Sequence, residues 1–564
     1  MKVLIIGGVA GGASAAARLR RLDENAEIVM LERTGYVSYA NCGLPYYLGG
    51  VITDRGKLTL QTPESFRRRF DIDVRVRNEA VSIDRAAKSV RVRRLDDGSE
   101  YDEPYDVLIL SPGAKPLMPD MAGAEDPRVM TMRTVEDTLS MRDFVVSNKP
   151  KRAVVAGGGY IGLEVAENLV GMGVEVTLVQ RPDHVLPPMD RDMAADVHHC
   201  LRANGVTLLL SEAVTGFETD GPLKVNLRGG GVLDADIAVV ALGVVPDSHL
   251  AMDAGLETGM KGAIVTDTHM RTSDPSIYAV GDAVQVREFV SGTDAVISLA
   301  GPANRQGRIA ADNICGIPSE YRGSQGSSVI KVFDMTVATT GLNEKTAKVA
   351  GIDYDKVYTY SASHATYYPD ARNMSVKTLF EKGTGRILGA QIVGYEGTDK
   401  RIDVIATAIR AGGDYGLLEE LDLAYAPPYS SAKDPVNMAG FVIDNVVTGR
   451  VSQFFWDDVE SLIGDQSNVF VDVRTPEEFV RGHIEGSVNI PLDDMRARMS
   501  EIPRDRHIRL VCHSALRSYI AARMLTQRGY ECSHLAGGLR LYFSVVDDIA
   551  IGSPDGPPCG QPLF

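Results

Sequence analysis

Twice along this chain a short apolar strand runs into a glycine-rich turn and then into a helix-forming segment, and that repetition constrains the fold more than any other feature. Residues 3–6 lead into Gly7-Gly8-Val9-Ala10-Gly11-Gly12, then an Ala-, Arg- and Leu-rich stretch over 13–22 and a second strand over 28–31. Residues 153–156 lead in the same way into Gly157-Gly158-Gly159-Tyr160-Ile161-Gly162, a helix over 163–172 and a strand over 174–179. Small residues at such a turn let backbone N–H groups and a helix N-terminus approach a pyrophosphate, with an acid about 20 residues later for a ribose hydroxyl. The second loop satisfies G-x-G-x-x-G in full through Gly157, Gly159 and Gly162. The first carries Gly7 and Gly12 with Val9 at the middle position and Ala10 beside it, and Glu32 ends its second strand. One such loop is equally compatible with tight strand-to-helix packing; two in order, each inside a βαβ unit, point to two dinucleotide sites.

A chain of 564 residues has room for about four domains. Residues 107–110 return to a core strand before Ser111-Pro112-Gly113, as in a nucleotide domain interrupted by a second one. Alternating segments at 329–333, 375–380 and 387–393, then a helix near 401–411, predict an α+β domain. A polar stretch over 448–453 reads as a linker. A new αβ pattern follows, with strands at 469–473 and 510–511 and a helix over 518–528, and the Gly- and Pro-rich end is expected to be irregular. The net charge of -16 argues against nucleic acid or an anionic membrane as the main partner, and an anionic small ligand would need a locally basic pocket. No apolar run approaches the length of a membrane helix, so a cytoplasmic address is expected. Cys42, Cys200, Cys315, Cys512, Cys532 and Cys559 form no C-x-x-C pair, which fits neither a disulfide framework nor a zinc site, and no metal is expected.

Thr272-Ser273-Asp274-Pro275-Ser276-Ile277-Tyr278-Ala279-Val280-Gly281-Asp282 resembles the second flavin fingerprint of two-dinucleotide flavoproteins, in which the final acid, here Asp282, binds the ribityl chain. Over roughly residues 1–447 the chain resembles the pyridine nucleotide-disulfide oxidoreductases. The resemblance implies FAD at Gly7, Val9, Ala10, Gly12, Glu32, Asn41, Val81, Gly113, Asp282 and Ala300. It implies NADH or NADPH at Gly157, Gly159, Tyr160, Gly162, Glu164, Gln180 and Gly243, with hydride passing from nicotinamide to flavin. Tyr160 would stack at the nicotinamide side, or simply pack at the helix start, and Glu164 would face both rings. Gln180 departs from the usual acid and Arg181 follows it, so both nucleotides stay open, with a slight lean to NADH.

Cys42 lies in Tyr36-Val37-Ser38-Tyr39-Ala40-Asn41-Cys42-Gly43-Leu44-Pro45-Tyr46 without a second cysteine nearby, so a redox role needs an external partner: oxygen, a peroxide or a thiol. A helix start here, with Pro45 in its first turn, would lower the thiol pKa through the helix dipole; the alternative is a small buried hydrophobe. The segment resembles coenzyme A-disulfide reductases, whose lone cysteine forms a mixed disulfide with coenzyme A. Ser14, Arg18 and Arg21 share a helix face, which by itself reads as a solvated surface. The resemblance assigns Ser14, Arg18, Arg21, Ser38, Asn41, Cys42, Asn304 and Lys433 to coenzyme A, the last two in the matching segments 300–308 and 425–433. It also implies a homodimer whose partner chain brings Tyr367 and Tyr425 to the thiol, ordinary interface packing being the alternative.

From about residue 455 to 551, Val471-Asp472-Val473-Arg474-Thr475-Pro476-Glu477-Glu478-Phe479, Gly482-His483-Ile484-Glu485-Gly486-Ser487, Cys512-His513-Ser514-Ala515-Leu516-Arg517-Ser518 and Leu535-Ala536-Gly537-Gly538 resemble a rhodanese domain. A loop running from Cys512 into a helix aims backbone N–H groups at the sulfur, and Arg517 accompanies it. Ala515 stands where many members have Gly, and Tyr542 near a frequent Trp. The other four cysteines read as bystanders. The expected fold class is α/β: two dinucleotide-binding (Rossmann-like) domains, an α+β dimerisation domain and a C-terminal α/β rhodanese domain. The expected boundaries are 1–112 with 246–326 for FAD, 113–245 for NAD(P)H, 327–447 for dimerisation, 448–455 for a linker, 456–551 for the rhodanese domain and 552–564 for a tail. The expected activity is NAD(P)H-driven reduction of coenzyme A disulfide, persulfide or polysulfide. The alternatives are an NADH oxidase or peroxidase cycling Cys42 through a sulfenic acid, and a thiol redox sensor or sulfur-relay binding protein.

Overall fold

The computed structural model describes residues 1–552, so all but the first residue of the expected tail, Cys559 included, lies outside the described residues. The contacts divide the chain into two units. In the first, comprising Met1–Arg181 and Glu212–Gly326, a parallel sheet has the strand order Ile277–Ala279, Val107–Leu110, Lys2–Ile6, Glu27–Glu32, Asp73–Val76. A strand late in sequence thus lies beside the earliest ones. Val3, Leu4 and Ile5 are fully buried, as the uninterrupted apolar run requires of a strand covered on both faces. A second parallel set runs Glu175–Gln180, Arg152–Ala156, Ile237–Val240, Val129–Met130. At the crossover, Ala114–Pro116 pairs antiparallel with Val244–Pro246.

The helices that follow the glycine turns are Ala10–Leu22 and Tyr160–Gly171, each starting three residues earlier than the sequence pattern predicts. Low-propensity glycines fill those first turns because close packing excludes a side chain there. A Cβ on Gly12 would lie 1.9 Å from the Gly7 carbonyl oxygen, and one on Gly162 the same 1.9 Å from that of Gly157. On the other side, a Cβ on Gly307 of helix Ala300–Ile314 would sit 2.3 Å from the Gly11 carbonyl oxygen, so the two helices cross at backbone contact.

The second unit contains Pro182–Ser211 and the chain from Ser327 onward. Its antiparallel sheet runs Ser328–Val332, Met335–Gly341, Ile387–Gly394, Asn373–Glu381, Tyr354–Ala362, packed by helices Thr398–Arg410 and Pro435–Val447. Helix Arg191–Ala203, expected inside the NAD(P)H domain, belongs to this unit by its contacts, because its buried polar groups find their partners far away in sequence. Asp192 pairs with Lys377 at 2.9 Å, and His198 Nδ1 lies 2.8 Å from Asp548. Lys377 is fully buried and also pairs with Asp190 at 2.8 Å and Glu344 at 2.5 Å. Although burial raises the Glu344 pKa, Lys377 and Lys356 outweigh it and bring the carboxyl down to about 2.

A parallel sheet follows, in the order Gln453–Phe454, Cys532–Leu535, His507–Val511, Asn468–Asp472, Val488–Asn489. Its edge strand Gln453–Phe454 falls where the sequence suggests a linker, since two residues are too few to show a period. The last helix, Gly538–Gly552, takes in Gly552, which the sequence pattern assigns to the tail.

Candidate functional site

Gly7 (φ +96°) and Gly157 (φ +110°) hold backbone conformations that side chains rarely adopt, and a Cβ on either would meet a carbonyl oxygen, of Ser111 at 2.0 Å or of Ala241 at 2.3 Å. Each loop is braced by the residue at the end of its second strand. Glu32 Oε2 accepts the Gly8 N–H at 2.9 Å, and Gln180 Oε1 accepts the Gly158 N–H at 2.8 Å. Gln180 therefore fills the bracing role of an acid with a neutral oxygen. Neither helix has a side-chain cap at its N-cap, Val9 or Gly159, and nothing lies within 4 Å of a Cβ built on Gly159. Uncapped N–H donors above an open cradle fit a dinucleotide pyrophosphate.

Other expected cofactor residues border the first loop's unit. Gly113 (φ +74°) and Gly243 (φ +106°) sit at the two crossovers, Val81 falls at a register shift between Ala80 and Ser82, Ala300 opens a helix, and Tyr160 is the first residue of the second phosphate helix. Asp282 pairs with Arg133 at 2.9 Å. With its amide oriented to satisfy both neighbours, Asn41 donates to the Arg133 carbonyl at 3.0 Å and accepts from its guanidinium at 3.2 Å. Arg133 carries no local sequence signal, and only the fold shows it as the cation between Asn41 and Asp282.

Cys42 lies in the 3-10 turn Asn41–Gly43, ahead of the five-residue helix Leu44–Leu48. The helix-dipole expectation of a lowered thiol pKa is corrected here. Desolvation pushes the Cys42 thiol up, Glu164 and Asp282 add to the rise, and Arg133 opposes it. Glu164 accepts a hydrogen bond from the Tyr46 hydroxyl at 3.3 Å. Burial, aided by Glu167, pushes the Glu164 carboxyl up to about 7 against the opposing pull of Tyr46. Tyr46 stands four residues after Cys42 in the quoted motif, but its bond to Glu164 could not be read from spacing.

Ser14, Arg18, Arg21, Ser38 and Asn304 line one groove of about 390 Å³, with Arg308 beside them. Ser14 donates to the Asn304 side chain at 2.8 Å, and Arg18 pairs with Asp312 at 2.7 Å. Arg20, on the other face of that helix, is buried and donates to backbone carbonyls, among them Phe70 at 2.7 Å and Ala26 at 2.8 Å. Lys433 is exposed in the second unit. There the Tyr367 and Tyr425 hydroxyls are 2.8 Å apart with both side chains exposed.

Cys512 is buried at the end of strand His507–Val511, and its sulfur accepts the Ser518 N–H at 3.2 Å. Ala515 adopts φ +70°, which explains why glycine is frequent at that position, and Gly538 closes over the loop because a Cβ there would meet the Cys512 carbonyl oxygen at 2.6 Å. The Arg517 fork is taken up by Glu478 at 2.6 and 2.7 Å, and this pairing brings the Glu478 carboxyl down to about 2. Glu478 lies in the first rhodanese-like segment, and its carboxylate orients Arg517.

The family model described as pyridine nucleotide-disulphide oxidoreductase matches residues 1–307, more than half of the 564-residue chain. The chain belongs to this family. The dimerisation domain of these oxidoreductases matches residues 327–435, and a rhodanese-like domain matches 455–544. A coenzyme A disulfide reductase of Staphylococcus epidermidis is 34% identical over 441 residues, covering 78% of this chain and 99% of that protein. The crystal structure of reduced CoADR-RHD from Bacillus anthracis is similar with a TM-score of 0.95 and 48% identity, covering 97% of this chain and 98% of that one. A NAD-dependent persulfide reductase from A. fulgidus gives 0.90 and 39%, over 96% and 100%. Among the described residues no helix is long and apolar enough to cross a membrane.

The raised Glu164 carboxyl sets an expectation for how turnover depends on pH. A carboxyl raised to about 7 stays protonated below that pH and ionises above it. Turnover measured against pH is expected to bend near 7, and Glu164→Gln should remove the bend and slow turnover about ten-fold. Tyr46→Phe removes a donor that favours the carboxylate, so the bend should move to higher pH. An unchanged profile in both variants would show that Glu164 does not titrate during turnover.

Proposed function

We propose that this oxidoreductase is an FAD-dependent, NAD(P)H-driven reductase of coenzyme A-linked disulfide, persulfide or polysulfide, acting as a homodimer in the cytoplasm. The observation that carries the reading is the groove holding Ser14, Arg18, Arg21, Ser38 and Asn304 in the same unit as Cys42, whose motif holds no second cysteine. Its cationic and hydroxyl groups suit the phosphates of coenzyme A, in a chain whose overall charge of -16 repels extended polyanions. The names of the relatives that share this architecture agree with that substrate class.

FAD, when bound, supplies the two-electron link between NAD(P)H and the thiol. Cys42 thiolate attacks one sulfur of coenzyme A disulfide, forming a mixed disulfide at Sγ and releasing coenzyme A thiolate. Arg133 opposes the carboxylates around that sulfur and so favours its anion. Glu164, its carboxyl raised to about 7, is the nearby group able to exchange a proton with the departing or returning thiolate. In a dimer, the Tyr367 and Tyr425 phenols of the partner chain are the proton donors offered to the thiol. Cys512 receives or delivers sulfane sulfur in the rhodanese-like domain.

Mass spectrometry of the purified protein, kept under argon, tests the reading. It is expected to show FAD and a coenzyme A adduct on Cys42 that NADH removes. Rapid aerobic NADH consumption indifferent to coenzyme A and sulfur substrates, with no adduct, would instead establish the oxidase alternative. The groove makes a separate prediction. Arg21→Glu should raise the KM for coenzyme A disulfide about ten-fold and leave the KM for NADH unchanged, because the altered charge faces only the phosphates.

A further inference from the structure

The sulfur of Cys512 has a second neighbour besides the Ser518 N–H. Ser518 Oγ lies 3.3 Å from Sγ, with both side chains buried. The same hydroxyl is 3.0 Å from the Ala515 carbonyl oxygen, to which it donates, and 3.4 Å from His534 Nδ1. His534 also hydrogen-bonds the Ala515 carbonyl, and its burial holds the imidazole neutral, with its pKa down at about 4. As a thiol, Cys512 donates to the Ser518 hydroxyl oxygen while that hydroxyl donates to the carbonyl; once Sγ is an anion it becomes a second acceptor for the hydroxyl proton, and the carbonyl keeps a second donor. Charges around the loop are paired: Arg517 with Glu478, Arg474 with Asp472 and Arg540 with Asp196 at 3.6 Å, while His513 is pushed toward neutrality by its own burial. A neutral donor in contact with Sγ can thus decide how readily the thiolate forms.

We propose that Ser518 is a further catalytic residue of the sulfur-carrier loop, its hydroxyl turning from the Ala515 carbonyl to Sγ when Cys512 deprotonates, while His534 positions it by keeping that carbonyl bonded. This rests on the reading of Cys512 as a sulfur carrier. The Cys512 proton leaves to solvent, and Sγ then attacks the outer sulfur of coenzyme A persulfide. The Sγ–S bond forms as the S–S bond of the persulfide breaks, coenzyme A thiolate departs with the electron pair, and the new cysteine persulfide then loses its proton to solvent. The Ser518 hydroxyl stabilises the anion at Sγ before attack and the cysteine persulfide anion afterwards, since a hydrogen bond to the charged form favours it.

The experiment loads the full chain with coenzyme A persulfide under argon and reads the added sulfur on the Cys512 peptide by mass spectrometry, as initial rate against pH. Ser518→Ala is expected to move the midpoint up by about one pH unit and to slow loading near neutrality about ten-fold, with the Ser518 N–H donor retained. Ser518→Thr, which keeps the hydroxyl, should stay within about two-fold. His534→Leu should shift the midpoint in the same direction as Ser518→Ala, by a smaller step. NADH-driven reduction of coenzyme A disulfide, which uses Cys42, reports whether each variant has folded. A Ser518→Ala profile that superimposes on that of the unaltered chain would overturn the proposal. If the unaltered chain acquires no sulfur on Cys512, the sulfur-carrier reading falls first and the proposal with it.

Discussion

Cys42→Ser is expected to reduce NAD(P)H-driven reduction of coenzyme A disulfide by at least about a thousand-fold while leaving FAD content and NADH affinity unchanged. The serine hydroxyl is neither a comparable nucleophile toward sulfur nor able to form a mixed disulfide, so the covalent step is lost outright rather than slowed. The structure argues that little else changes. Cys42 sits in a short turn where the oxygen replaces a sulfur that solvent reaches, and the braces of both nucleotide loops lie on other residues, Glu32 on Gly8 and Gln180 on Gly158. Anaerobic stopped-flow spectroscopy separates the two effects: flavin reduction by NADH should persist, and reoxidation by coenzyme A disulfide should not. Undiminished turnover would remove Cys42 from the chemistry and with it the reductase reading.

Lys377→Met carries the largest expected effect on stability. The ammonium is fully buried and is shared by Asp190 and Asp192 of one segment and Glu344 of another. A thioether leaves three carboxylates packed together with Lys356 reaching only Glu344, at 2.8 Å. Breaking a buried pair by removing one partner costs about 3–5 kcal/mol, because the remaining charge stays desolvated and unpaired. The pH dependence has a definite sign. In the unaltered chain the Glu344 carboxyl is held at about 2, below its unfolded value, so its contribution is present at neutral pH and is lost only as pH falls toward 2. Without Lys377 the Glu344 carboxyl loses the largest of the charges that hold it down, and taking a proton relieves part of the penalty. The deficit, read from the midpoint of urea unfolding, should therefore shrink between pH 8 and pH 5, and adding Asp192→Asn should recover part of it. A deficit independent of pH would point to lost packing rather than unpaired charge.

How much of the site was legible in sequence follows the range of the interactions. The glycine turns could be read because their demands are local: Gly7 and Gly157 need a positive φ, and Gly12 and Gly162 need contact with a carbonyl five residues earlier. Glu32 and Gln180 were legible by their spacing from those loops, although the hydrogen bonds by which they brace Gly8 and Gly158 were not. Ser14, Arg18 and Arg21 were placed on one face by helical periodicity, and the groove they share with Asn304 needed helix Ala300–Ile314 to be packed against theirs. The two helices start three residues earlier than the sequence pattern because glycine reads as loop on propensity alone, while close packing recruits it into the first turn.

By itself the sequence determined that the chain holds two dinucleotide loops, a thiol at Cys42 with no second cysteine near it in sequence, and another thiol at the head of a rhodanese-like loop, because backbone conformation and side-chain period act over a few residues. The tertiary structure decided what surrounds those thiols. Arg133 and Asp282, Tyr46 and Glu164, and Ser518 and His534 meet only after distant segments pack, and the same packing joins helix Arg191–Ala203 to Lys377 and Asp548. Desolvation and charge pairing depend on everything within a few ångströms in space, so the raised pKa of Cys42 had no counterpart in the linear motif that contains it.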